Sequence, residues 1–141
     1  MASFLFNSYW DDVDRGNIIL ATHTFRVMLI TAAGVAAANK DTWTKRSDAT
    51  TYEITATGYT AGGAVCAVTL AQELAGDRQV ATFGTVTWPG FTGSAAGAVY
   101  YRSRGGAATA DELVGLNDFG GVVTLTATPL VIANTIRTIQ N

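Results

Sequence analysis

Tyr52-Glu-Ile-Thr-Ala-Thr-Gly-Tyr-Thr-Ala-Gly-Gly-Ala-Val-Cys-Ala-Val-Thr-Leu70 reads as two short alternating runs about a glycine-rich corner. Before the corner, Tyr52, Ile54 and Ala56 alternate with Glu53, Thr55 and Thr57. After it, Val65, Ala67 and Thr69 alternate with Cys66, Val68 and Leu70. Successive side chains of a strand point to opposite faces, so period-two alternation bounded by glycine predicts strands. Gly58, Gly62 and Gly63 mark the bend, because glycine takes positive φ without steric cost. The stretch therefore predicts a hairpin.

Outward from the corner the same grammar repeats. His23 to Thr31 alternates Phe25, Val27 and Leu29 with Arg26, Met28 and Ile30, which predicts a strand buried on both faces at its far end. Gln79 to Trp88 is a further strand, with Gly84 as a bulge or close backbone approach and Pro89-Gly90 as its end. Ala95 to Ser103, Glu112 to Phe119, Val122 to Thr128 and Leu130 to Ile139 follow, the last two divided by Pro129. Ser3 to Arg15 is different. Leu5, Tyr9 and Val13 share one helical stripe, and Gly16 supplies a stop. The expectation is an all-β, single-domain antiparallel β-sandwich or jelly roll of about 7–8 strands spanning 1–141, with a short N-terminal helix. Segment 1–17 is a helical segment or arm, and 32–51 is a long loop.

The bulk composition narrows the function classes. Only 14% of the 141 residues are charged, against a usual figure of about 25%. Low charge suits a protein that covers part of itself in an assembly. The net charge of -2, without a basic tract, argues against binding nucleic acid through its phosphates. One histidine, His23, cannot build a two-histidine metal site, and one cysteine, Cys66, cannot form an intrachain disulfide. No secretory pattern opens the chain, and no apolar run approaches the roughly 20 residues of a membrane-spanning helix.

Specific chemistry is equally sparse. No Gly-x-Ser-x-Gly elbow is present. The corner lacks the lysine and following helix that a phosphate loop needs. Asp111, Glu112 and Asp118 could be imagined as paired carboxylates or a calcium site, but neighbours on a strand face opposite ways and the spacing matches no EF-hand loop. Tyr100-Tyr101-Arg102 could stack on bases or sugars, although core packing is the better reading. The expectation is a non-enzyme with no cofactor and no metal. In the long loop, Trp43, Lys45 and Arg46 are the candidate partner contacts, joined by Phe6 and Trp10 of the aromatic N-terminal segment.

Several motifs in one order carry a resemblance. Phe4-Leu-Phe-Asn-Ser-Tyr-Trp-Asp-Asp-Val-Asp-Arg-Gly-Asn-Ile18, Thr24-Phe-Arg-Val-Met-Leu-Ile-Thr31 and Gly58-Tyr-Thr-Ala-Gly-Gly63 resemble a family of small tailed-bacteriophage virion structural proteins. Phe83-Gly-Thr-Val-Thr-Trp88, Gly97-Ala-Val-Tyr-Tyr101 and Leu116-Asn-Asp-Phe-Gly120 continue it. What the resemblance implies is a particle component, a capsid decoration or cement protein that binds and stabilises the shell of the major capsid protein. Its implied partners are that capsid protein and itself, as a homo-oligomer guessed to be a trimer, with no direct nucleic acid and no membrane. The implied location is the virion, at the capsid surface, after synthesis in the host cytoplasm. A tail, neck or fibre component is the alternative, and a carbohydrate-binding module the third.

Overall fold

The computed structural model describes residues 3–133 and the backbone of 137–140. It is an all-β antiparallel sandwich with a short N-terminal helix. In chain order the elements are β1 (Phe4–Leu5), α1 (Asn7–Asp14), β2 (Thr24–Ile30), α2 (Ala32–Ala37), β3 (Ala64–Cys66), β4 (Val68–Glu73), β5 (Arg78–Phe83), β6 (Val86–Ser103), β7 (Leu113–Ile132) and β8 (Arg137–Gln140). One sheet has the order β1-β7-β6-β2-β3 and the other β4-β5-β8. Phe83, at the end of β5, joins them: its ring meets Phe25 of β2 at 5.4 Å and Tyr100 of β6 at 5.7 Å, both edge to face. That geometry suits the positive edge and negative face of aromatic rings.

The expectation for β2 is met. Phe25, Val27 and Leu29 pack into one core cluster with Tyr9, Trp88, Phe91 and Tyr100. Met28 and Ile30 pack on the opposite face with Phe6, Trp43, Val99 and Leu116. The five-stranded sheet is thus covered on both sides, and both faces of its central strands are apolar for that reason. No helix among the described residues is long and apolar enough to cross a membrane.

The hairpin expected across residues 52–70 is not formed. Residues 53–57 are extended but touch the sheet only at isolated bridges, Ile30 with Glu53 and Thr57 with Thr92. Their alternation is real, with Ile54 buried and Thr55 exposed. It reports which side chains face the core and says nothing of the strand they pair with. The run after the corner also divides at Ala67: β3 pairs with β2, whereas β4 pairs with β5 in the other sheet.

Elsewhere the expected breaks are too many. Pro89-Gly90 does not end a strand, nor does Pro129, because β6 and β7 run through them. All three residues fall in one register shift, between the pairs Trp88–Leu130 and Phe91–Thr128. There the missing proline N–H groups cost no ladder bond. Gly120-Gly121 likewise lies in an irregularity, between Gly97–Asp118 and Ala95–Val123. Conversely, the strand expected over 79–88 divides at Gly84-Thr85 into β5 and β6. Of the strand expected over 130–139, Leu130–Ile132 belongs to β7, and residues 134–136 lie outside the described residues.

At the N-terminus, Phe4–Leu5 pairs with β7 before α1 begins, and Gly16 takes φ 79° just past the helix, as a stop residue should. The long loop is not featureless. It holds α2, capped by Thr31 Oγ1 accepting from the Gly34 N–H, and two 3₁₀ turns at Arg46–Asp48 and Thr50–Tyr52.

Candidate functional site

The residues that sequence analysis singled out in the loop come together, but against their own chain. Trp43 is only 9% exposed and lies between Phe6, at 6.2 Å and 17° between ring planes, and Tyr52, at 5.8 Å and 18°. Phe6 is fully buried in the same cluster. Two stacked aromatic pairs contribute about 0.5–1.5 kcal/mol each beyond simple area burial. The expectation that Phe6 and Trp43 offer their faces to a partner is therefore corrected: those faces are occupied within the chain. Trp10 remains half-buried, edge-on to Tyr9 at 4.9 Å.

Lys45 and Arg46 follow Trp43 onto the start of β7. Lys45 bridges Glu112 through the backbone, and the Arg46 N–H donates to the Asp111 carbonyl at 2.9 Å. The side chains repeat the pairing. Arg46 Nε donates to Asp111 Oδ2 at 2.8 Å, and Lys45 Nζ lies 3.6 Å from Glu112 Oε1. From the turn after β6, Arg104 donates from Nη2 and Nε to Glu112, and its backbone N–H donates to Asp111 Oδ1 at 2.9 Å. Arg102 Nη1 lies 3.9 Å from Glu112 Oε2. Asp111 and Glu112 are 1% and 2% exposed, so four cations surround two buried carboxylates.

Alternation along a strand would set Asp111 and Glu112 on opposite faces. The structure engages both, since Asp111 precedes β7 and is free of the strand's alternation. The legible signal was the arginine pair Arg102-x-Arg104 and the acidic pair Asp111-Glu112 flanking one turn. Asp118 is elsewhere, near Ser3 and Gly120. Among the described residues no three His, Cys, Asp or Glu side chains converge as a metal site would require.

Arg46 continues the network toward the glycine corner. Its guanidinium stands 5.0 Å over the Tyr101 ring, and the Tyr101 hydroxyl donates to the Gly62 carbonyl. Arg26 Nη2 donates to the Gly63 carbonyl at 2.7 Å. From the other side, Glu53 Oε1 accepts from the Gly62 N–H at 2.6 Å and from the Tyr59 hydroxyl at 2.7 Å. That hydroxyl in turn accepts from the Leu29 N–H of β2 at 3.1 Å. Burial, with the bond to Glu53, holds the Tyr59 phenol far above its ordinary range. Burial also raises Tyr101, against the pull of Arg46 and Arg26. A cleft of about 300 Å³ opens here, lined by Arg26, Arg46, Glu53, Gly62 and Tyr101. Its walls are the residues that fasten the corner.

The chemistry available to this belt is limited by its own pairing. A carboxyl acting as general acid near neutrality needs a raised pKa. Burial alone would raise Glu112, but the Arg104 hydrogen bond and the Lys45 and Arg104 charges outweigh it and hold Glu112 below the ordinary value. Cys66 is similarly unsuited to nucleophilic work. Burial pushes its thiol up to about 11, and it donates to the Gly84 carbonyl at 3.4 Å. A thiolate is the reactive form. Cys66 is therefore expected to resist an aromatic disulfide reagent in the native protein and to react at once in denaturant. Equal rates in both conditions would contradict that burial.

Among the described residues several large apolar side chains stand exposed, including Leu74 at 85%, Val65 at 61%, Val122 at 59% and Val131 at 55%. No protein-family model matches the chain, and no curated protein and no solved structure matches it.

Proposed function

We propose that this chain is a structural protein of a tailed-bacteriophage particle, and specifically a decoration protein that binds and stabilises the shell built by the major capsid protein. The observation that carries the reading is the division of labour between polar and apolar groups. The strongest polar cluster is closed on itself around Asp111, Glu112 and Glu53, while large apolar side chains on and beside the strands face outward. Charge committed to fastening a loop, with valine and leucine side chains left exposed on β3, β4 and β7, is in keeping with a protein whose work is contact. The resemblance of the motif order to that of small tailed-bacteriophage virion proteins is in keeping with the same reading.

The mechanism would be mass action. A protein that binds only the assembled shell stabilises it by RT ln(1 + [L]/Kd), about 2.7 kcal/mol per site at a hundredfold excess over Kd. The test is to strip purified particles of this chain, add it back, and follow rebinding and heat release of the genome. Decoration predicts copies in proportion to the capsid protein and a rise in the shell's melting temperature on rebinding. A few copies confined to the tail or neck would replace this reading with the tail one.

A further inference from the structure

We propose that two copies of this chain join edge to edge through β4, antiparallel, with Leu70 of one copy opposite Leu70 of the other. β4 is the outer strand of the β4-β5-β8 sheet. Natural edge strands carry proline, lysine, a bulge or a cover that blocks pairing with another chain. β4 has none of these. Its sequence is Val-Thr-Leu-Ala-Gln-Glu, its register with β5 is unbroken from Val68–Phe83 to Glu73–Arg78, and residues 69–72 are exposed. Its one charge, Glu73, is tied to Arg78 at 2.6 Å.

The hydrogen-bonding parity of the strand limits how a second copy can pair with it. The Gly84 N–H donates to the Ala67 carbonyl at 2.8 Å, in step with the β4–β5 register. Hydrogen-bonded positions alternate along an antiparallel strand. Thr69, Ala71 and Glu73 therefore turn their backbone groups toward β5, and Val68, Leu70 and Gln72 turn theirs outward. A second β4 placed about a two-fold axis at Leu70 meets this row with an identical row. Leu70 faces Leu70, Val68 faces Gln72, and Thr69 faces Ala71. Glu73 falls opposite Ala67, so no like charges meet. A two-fold axis at Ala71 would also join outward groups, Leu70 to Gln72, but would set Val68 opposite Leu74, which lies past β4 in the 3₁₀ turn Leu74–Gly76. Of the registers that parity allows, the one centred on Leu70 pairs all three outward residues of β4 with one another, and it is isologous. Such a contact is two-fold, in place of the guessed trimer, and it does not depend on the proposed place in a particle.

The test uses the full chain. Sedimentation over a concentration series is expected to show a monomer passing to a dimer, and Leu70→Lys, which sets two cations face to face, should weaken the dimer at least about tenfold. Leu70→Cys should cross-link to a covalent dimer under mild oxidation, because paired Cα atoms about 5.5 Å apart lie within disulfide reach. Gln72→Cys, facing Val68, should cross-link no faster than the exposed hairpin-tip control Leu74→Cys. Melting curves of all variants check that each is folded. A chain that stays monomeric throughout overturns the proposal. So does cross-linking of Leu74→Cys as fast as Leu70→Cys, or β4 covered in particles by a different protein while the free chain stays monomeric.

Discussion

Gly63→Ala is expected to prevent stable folding, whereas Gly62→Ala, one residue away, should cost about 1–2 kcal/mol. Both residues take positive φ, 88° at Gly62 and 78° at Gly63, so both substitutions carry the left-handed penalty of about 1–2 kcal/mol. Only Gly63 adds a collision. A Cβ there would lie 1.6 Å from the Val27 carbonyl oxygen and 2.5 Å from its carbon, both backbone atoms of β2. At Gly62 the nearest atom is the Tyr101 hydroxyl at 3.5 Å. Relief at Gly63 requires β3 to part from β2 just where Ala64 pairs with Val27. The loss should exceed about 4–5 kcal/mol, the range reserved for a few severe mechanisms and a large share of a domain's total stability. Soluble yield and urea midpoints check the contrast. A Gly63→Ala protein that melts with the parent would show that β3 does not approach β2 as closely as described.

That contrast separates what the sequence could and could not reveal. The glycine corner was legible as a bend, because positive φ leaves a mark in residue type. What the bend joins was not. Alternation in Tyr52–Thr57 records burial of Ile54, yet an extended segment crossing the sheet buries the same side chains as a paired strand. The opposite error arose at Pro89 and Pro129. Each proline reads locally as a stop, and only the pairing of β6 with β7 reveals that both sit in one register shift. β2 was readable throughout because burial on both faces leaves little choice of residue.

The candidate site was legible in its residue types but not in its direction. Trp43, Lys45 and Arg46 do act together, and the aromatic segment with Phe6 does meet them. An anchoring loop has the same composition whether it anchors to a partner or to its own sheet. The choice is made by Asp111 and Glu112, nearly seventy positions away in sequence, whose buried carboxylates need counter-charges that the loop supplies.

Glu112→Ala is expected to destabilise the protein by about 3–5 kcal/mol, the usual cost of breaking a buried ion pair from one side. The residue is 2% exposed and serves Arg104, Lys45 and Arg102 together. Arg102, 15% exposed, has little water to turn to when the carboxylate is gone. Lys45, 34% exposed, can rehydrate, so Lys45→Ala should cost less than about 1 kcal/mol. The pH dependence gives a second readout. Glu112 titrates below its ordinary value when folded, whereas the unfolded chain should titrate near about 4.3. As pH falls through that value the unfolded state takes up the proton first, so the stability from Glu112 is intact above it. That stability then declines as pH drops toward the folded value. Urea midpoints measured from neutrality into acid should therefore fall more steeply for the parent than for Glu112→Gln, the two curves converging at the acid end. Parallel curves would mean that Glu112 gains nothing from its arginines on folding, and the closed belt of charge would lose its strongest link.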